Sequence, residues 1–360
     1  MKTSKLEMTF EPVTPEELVE TIRAYPRVVP VGAGTKPRLA DVGSEFARVS
    51  TLQLSGIVEY EPSEFTFTAL AGTPLAQIVA ALAERGQYLP FDPMLVAGGA
   101  TLGGTIAAGL SGPGRFRFGG LRDFILGVQF ADGEGRLLRM GGKVVKNAAG
   151  FDLPKFFVGS LGRFGILVEV TFKVFPRPAE LRTLRIDAPD AATKERLIQE
   201  AAGARWEIDA LDAPAADDVV FMRIGGPAVA LDALTKEILA RWPGVALTGE
   251  QATHLWETVG EMSWVHPEGN VVKLALTPSR IAEFIAVVRG HAEARGWVSA
   301  GGNTGYLSVP AGSALPTLAW PAVTLSGEAP LWPGEHPRFE VMQAVKAALD
   351  PNNRFPKLDE

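Results

Sequence analysis

The chain contains no cysteine. That excludes disulfides, thiolate metal sites and iron–sulfur ligation by its own side chains. Histidine is scarce as well: there are four, at His254, His266, His291 and His336, so the first half has none. No window approaches the ~18 uninterrupted apolar residues of a membrane-spanning helix. The opening MKTSKLEMTFEPVTPEELVE has no apolar core of signal-peptide length. A cytoplasmic protein without a transmembrane segment is the expectation. Excess basic charge is also missing. The net charge of −6 argues against a dedicated nucleic-acid binder, which needs a basic face. What remains, 46% hydrophobic and 21% charged over 360 residues, is an ordinary globular composition with room for two cores.

Glycine is what the chain has in quantity, with 39 residues. Two uncharged glycine-rich segments stand out, VGAGTKP at Val31 to Pro37 and GGATLGGTIAAGLSG at Gly98 to Gly112. The second runs into a helix of small residues. Converging backbone N–H groups in such loops, or at the helix start they lead into, form a concavity for an anion. Two of them in one domain suit a pyrophosphate with a flat group at each end, hence a dinucleotide. The nicotinamide fingerprint GxGxxG nevertheless fails, because Pro37 stands where its third glycine should be. The P-loop form GxxxxGK[ST] is absent too. Taken alone, Gly32-Ala33-Gly34 reads equally well as a tight turn.

Around these segments the pattern alternates. Thr14-Pro15-Glu16-Glu17 is a helix start, with a threonine cap and glutamate three residues on. Val28 to Val31 and Phe65 to Ala71 read as strands. Thr73-Pro74 opens a helix ending at Gly86. Strands from Phe124 to Ala131 and from Arg136 to Gly142 flank the turn at Asp132-Gly133. Gly165 to Pro176 is a strongly apolar strand, and Pro176 and Pro178 mark a boundary. Beyond it, strands at Leu181, Val219 and Asn270 are each followed by an amphipathic helix, the last spanning Ser279 to Gly296. Ala311 to Pro337 reads as a connector, and a final helix ends at Asp350-Pro351.

The stretches GTPLAQIVAALAERGQYLPFDP, ATLGGTIAAGLSGPGRFRFGGLRDFILGV, GGKVVKNAAGFDLPKFFVGSLGRFGILVEVTFKVFPRP and VKAALDPNNRFP resemble a known family. It is the FAD-binding domain family of p-cresol methylhydroxylase and vanillyl-alcohol oxidase (PCMH/VAO), in particular its branch of bacterial glycolate oxidase E subunits. The resemblance covers the whole FAD domain and the C-terminal helix, about half of the chain, while the middle matches only loosely. The resemblance implies an α+β fold: a two-lobed PCMH/VAO-type FAD-binding domain at residues 1–178, an α+β cap domain with an antiparallel sheet at 179–335, and a C-terminal helix at 336–360 returning to the FAD domain. It also implies that Gly32, Ala33, Gly34, Thr35 and Lys36 wrap the pyrophosphate from one side. Ala100, Thr101, Gly103, Gly104, Ala107, Ala108 and Gly109 would line the other side. Gly112 and Gly119 would shape the next turn, with Asp123 capping it. Gly162, Gly165 and Ile166 would meet the adenosine half, or else simply form a tight strand entry. Lys146 and Asn147 are candidates for holding the loop that ends at Asp152. With no cysteine, and no histidine in the FAD domain, the flavin should be bound non-covalently.

The resemblance carries a substrate and partners as well. It implies oxidation of a 2-hydroxy acid, glycolate to glyoxylate, in a heteromeric enzyme with a second FAD-binding subunit and an iron–sulfur subunit. Such a substrate needs a cation for its carboxylate and a base for its hydroxyl. Arg223 and Lys273 match basic positions of the E-subunit pattern; the bland alternative is two strand charges facing solvent. His266 is a candidate base, or a loop residue beside a proline. No metal is expected: where the sister subunit carries an HxGDGNxH-type segment, this chain reads SAGGNTGYLSV at Ser299 to Val309. Autonomous catalysis is therefore in doubt. A non-catalytic flavin-binding component is the alternative, and another oxidoreductase of the family, such as a UDP-N-acetylmuramate reductase, is a weaker one.

Overall fold

A computed structural model of the chain describes residues 8–142, 152–335 and 340–359. Lys146, Asn147 and His336 lie outside the described residues.

The first lobe begins with helix Pro15–Ala24. Thr14 Oγ1 accepts the Glu17 N–H at 3.1 Å, and Glu17 Oε2 accepts the Val13 N–H at 2.8 Å. Its apolar stripe, Leu18, Val19 and Ile22, is buried against a three-stranded parallel sheet. Strand Ala47–Ser50 is central there, between Thr9–Phe10 and Val28–Val31. A second, antiparallel sheet runs in the order Ile57–Glu61, Thr66–Leu70, Ile166–Lys173, Ile125–Ala131, Leu137–Gly141. The anticipated hairpin is its edge, and the buried Asp132 carboxylate ties the turn by accepting the N–H groups of Glu134 and Arg136, both at 2.9 Å. Helices Leu75–Ala83 and Leu102–Ala108 pack on this sheet's apolar face. Thr73 does not cap the first of them; its hydroxyl donates to Leu70 O at 2.7 Å.

The second lobe is one eight-stranded sheet in which every neighbouring pair is antiparallel. Helices Ala191–Ala202, Ala228–Arg241 and Ile281–Arg289 cover one face and bury a large aliphatic core. The other face, carrying Phe221, Val271, Trp297 and Tyr306, meets Met94, Leu110 and Leu161 of the first lobe. Five of these strands were not anticipated: Ile208–Pro214, Gly244–Ala246, Arg295–Ser299, Thr304–Val309 and Ala322–Ser326. The helix expected to reach Gly296 ends at Arg289, because Gly290 stops it and Arg295 onward pairs with Thr304–Val309. The expected connector contains Ala322–Ser326, which pairs with Asn270–Ala275. Pairing to a distant strand outweighed the weak local propensity of these segments.

The C-terminal helix, Glu340–Leu349, and the tail after it pack on the first lobe. Lys346 Nζ donates to Arg163 O at 2.7 Å, and Val28 N donates to Arg354 O at 2.8 Å.

Candidate cofactor-binding site

The two glycine segments form opposing walls of one cavity of about 420 Å³. Strand Val28–Val31 delivers the first, Gly32 to Lys36, at its end. The second follows Thr101, which caps helix Leu102–Ala108 through Gly104 N–H to Oγ1 at 3.2 Å. The walls nearly touch: a Cβ added to Gly32 would lie 2.8 Å from Thr101 Oγ1. Gly103 is needed for the same kind of reason, since its Cβ would stand 2.8 Å from the Ala71 methyl. Gly34 differs, with φ of +73° and nothing within 4 Å of an added Cβ.

Donors divide unequally between the walls. At the helix start Leu102 N–H goes to Thr73 O at 2.9 Å and Gly103 N–H to Ala71 O at 2.7 Å. With Gly104 on Thr101, this end of the helix offers the cavity no spare donor, contrary to the expectation from sequence. The first loop does: Ala33, Gly34 and Thr35 have no backbone N–H partner among the described residues. Beside them Lys36 is only 8% exposed, and its Nζ donates to Thr35 Oγ1 at 2.7 Å. Burial lowers its pKa to about 8. It has no carboxylate partner among the described residues. A largely desolvated ammonium beside these N–H groups, facing a wall of glycine and alanine, fits a diphosphate with a planar group beyond it.

Gly32, Ala33, Gly34, Thr35, Lys36, Thr101, Gly103, Gly104, Ala107, Gly162, Gly165 and Ile166 all line this cavity. The other glycine-segment candidates do not. Ala100 and Ala108 are buried in cores, and Gly109 ends the helix at φ +57°. Gly112 abuts Asp92, where a Cβ would be 2.4 Å from the Asp92 carbonyl oxygen. Gly119 abuts Asp123, whose Oδ2 accepts the Gly120 N–H at 2.9 Å. Arg48, Ser50 and Ser160 also line the cavity and went unrecognised in the sequence. Only the parallel register Val29 to Arg48 and Val31 to Ser50 brings the first two there.

None of the three candidate catalytic residues lines the cavity, and each is otherwise engaged. Arg223 is 6% exposed, so it is no solvent-facing strand charge. It donates through Nε to Asp209 Oδ2 at 2.9 Å and through Nη2 to Asp92 Oδ2, and stacks over Trp256 at 5.0 Å. Two carboxylates already neutralise it. Asp209 is itself buried, which raises its pKa against the opposing pull of Arg223. His266 is a loop residue: Ser308 Oγ accepts its N–H at 2.9 Å and its Nε2 meets Glu293 O at 2.6 Å. Lys273 reaches the first lobe and donates to Gly109 O. The Ser299 to Val309 segment forms a turn and a strand. It is anchored by buried Asp212, which accepts Ala300 N–H at 3.0 Å and Trp297 Nε1–H at 2.8 Å.

Comparison with known proteins agrees with this geometry. Residues 7–141, which hold both glycine segments, match the family described as FAD binding domain. The first lobe thus carries a stretch similar to FAD-binding domains. The chain is 42% identical over 176 residues to glycolate oxidase subunit GlcE of Escherichia coli, covering 48% of each chain. It is 31% identical over 160 residues to glycolate oxidase subunit GlcD of Bacillus subtilis, covering 44% of this chain and 33% of that one. The matches thus span about half, or less, of these relatives. Among solved structures, alkyldihydroxyacetonephosphate synthase superposes with a TM-score of 0.69 at 15% identity, covering 97% of this chain and 77% of its own, a likeness of fold alone. Among the described residues, no helix is long and apolar enough to cross a membrane, and no cluster of three or more His, Cys, Asp or Glu could hold a metal.

Proposed function

We propose that this chain is the FAD-binding subunit of a heteromeric glycolate oxidase or dehydrogenase in the cytoplasm, with electrons passing to an iron–sulfur partner subunit beside a second flavoprotein. Residues 1–178 would be its flavin domain, 179–335 its cap and 336–360 the return helix. The observation that carries this is the cavity between the two glycine segments, in a chain 42% identical over 176 residues to a glycolate oxidase subunit. Bound there, FAD would supply the acceptor for the two electrons of a hydroxy acid. Gly32 to Lys36 would hold its diphosphate, while Thr101, Gly103, Gly104 and Ala107 allow close approach from the other wall.

A second reading has its own support. Arg223 is tied to two carboxylates, His266 to a backbone carbonyl, and Ser299 to Val309 supplies neither histidine nor acid. General base catalysis typically supplies ~10²–10⁴-fold, and no free base is apparent among these groups. The subunit would then hold flavin for electron transfer or for stability, and a partner would activate the substrate. Anaerobic glycolate titration separates the two. Rapid bleaching of the isolated chain supports catalysis by this subunit and sinks the second reading. Bleaching only after co-expression with both partners supports the second. Full glycolate-dependent dye reduction by the chain alone, with no partner recovered in a pull-down, would overturn the heteromeric assignment.

A further inference from the structure

We propose that Glu261 of the second lobe is a positioning residue for the flavin, holding the second glycine segment against the diphosphate loop and setting an unpaired negative charge beside the cofactor cavity. The proposal rests on the FAD reading of that cavity.

Glu261 directly follows helix Gly249–Gly260, whose last turn carries no basic residue. The C-terminal end of a helix is itself negative, so a carboxylate there is disfavoured. Glu257, one turn earlier, adds a like charge at the i, i+4 spacing. No basic side chain pairs with Glu261 among the described residues. The offset comes from the first lobe instead. Glu261 Oε1 accepts the Ala97 N–H at 2.9 Å and Oε2 accepts the Gly98 N–H at 3.0 Å. Gly260 O, one residue before, accepts the Leu95 N–H at 2.9 Å. Successive amides converging on one carboxylate form a backbone nest for an anion, and here the other lobe supplies that anion.

The loop held in this way needs holding. Leu95 stands at φ +59° and Gly99 at φ +85°. A leucine in the left-handed region persists only where its surroundings over-determine it. Gly99 N–H to Val96 O at 3.1 Å and Ala100 N–H to Leu95 O at 2.9 Å close the turn, which delivers Thr101 to the cavity wall. Thr35 of the diphosphate loop stands against it. A Cβ added to Gly98 would lie 3.7 Å from Glu261 Oε2 and 3.8 Å from Thr35 Cγ2. Thr35 in turn accepts Lys36 Nζ at 2.7 Å. The carboxylate is therefore two contact distances from a residue that lines the cavity.

Asp92, which grips the other end of the glycine segment, differs in charge. Arg223 neutralises Asp92, whereas Glu261 meets only neutral amides. A negative charge near a flavin opposes the addition of electrons to it, so Glu261 acts on the cofactor through geometry and through its field.

The test is reconstitution of the full-length apoprotein with FAD, followed by titration of the flavin's reduction potential against reference dyes. Glu261→Ala should weaken FAD binding about 10-fold, the lower range for hydrogen bonds to a charged group. Glu261→Gln keeps the side chain's shape and one acceptor but removes its charge. It should lose less affinity than Glu261→Ala, yet raise the potential as Glu261→Ala does. FAD affinity in Glu261→Ala within about twofold of the parent's would overturn the proposal. So would an unchanged potential in Glu261→Gln, because a merely stabilising contact would not move it. In both cases a parent that binds FAD tightly leaves the FAD reading standing. A parent that takes up no FAD would end both.

Discussion

Arg223 of the second lobe and Asp92 of the first, 131 residues apart in sequence, share a salt bridge across the lobe interface. Asp92 Oδ2 also accepts the Gly114 N–H at 2.7 Å, so one carboxylate fastens the turn after the glycine segment to the other lobe. Glu261 does the same on the preceding side, accepting the Ala97 and Gly98 N–H groups at 2.9 and 3.0 Å. The glycine segment is thus gripped at both ends by the second lobe.

Breaking that grip should cost stability. Arg223→Ala leaves Asp209, 1% exposed, without its hydrogen-bonded partner and with only Arg117 at 3.9 Å. Removing one member of a buried pair typically costs about 3–5 kcal/mol. Thermal unfolding should show a clear drop in Tm, largely reversed by adding Asp209→Asn. An unchanged Tm in Arg223→Ala would refute a structural role.

Lys36→Ala should weaken FAD binding by about 10–100-fold, the range of a charge-assisted hydrogen bond. Fluorescence quenching on reconstitution of apoprotein measures it. An affinity equal to the parent's would remove Lys36 from the site.

The same lysine sets a pH dependence. Its folded pKa, about 8, lies below its ordinary value of 10.5, so its buried charge costs stability below pH 8 and that cost fades as pH rises through 8. Anion binding favours the protonated form. FAD affinity should therefore fall as pH rises from 7 to 9, and Lys36→Gln should flatten the profile. An equally steep profile in the variant would assign the effect elsewhere.

Gly103 and Gly104 should respond differently to a side chain. A Cβ on Gly103 meets Ala71 at 2.8 Å, whereas Gly104 meets only Thr101 Oγ1 at 3.0 Å. Gly103→Val should destabilise the fold. Gly104→Val should give a folded protein that lacks flavin, checked by circular dichroism and by absorbance of the purified protein. Normal flavin occupancy in Gly104→Val would show that the second wall does not face the cofactor.

Acid precipitation should leave all flavin in the supernatant. No cysteine exists in the chain, and among the described residues neither histidine nor tyrosine lines the cavity. Colour remaining in the pellet would contradict this.

Much of the flavin lobe was legible because its signals are local. The Thr14 cap, the apolar strand after Gly165 and the two glycine segments each depend on neighbours within a few residues. The sequence by itself determined that two small-residue walls could receive a dinucleotide, and that no thiol chemistry is available. Tertiary structure decided which wall has free donors, because Leu102 and Gly103 are satisfied by carbonyls about thirty residues earlier in the chain. It placed Arg48 and Ser50 in the cavity through parallel register. It also decided the fate of the cations. Arg223 and Lys273 look alike in sequence, each a basic residue in an apolar strand. Tertiary packing then delivered two carboxylates to Arg223 and, among the described residues, none to Lys273, and charge depends on what lies within a few ångströms, not on position along the chain.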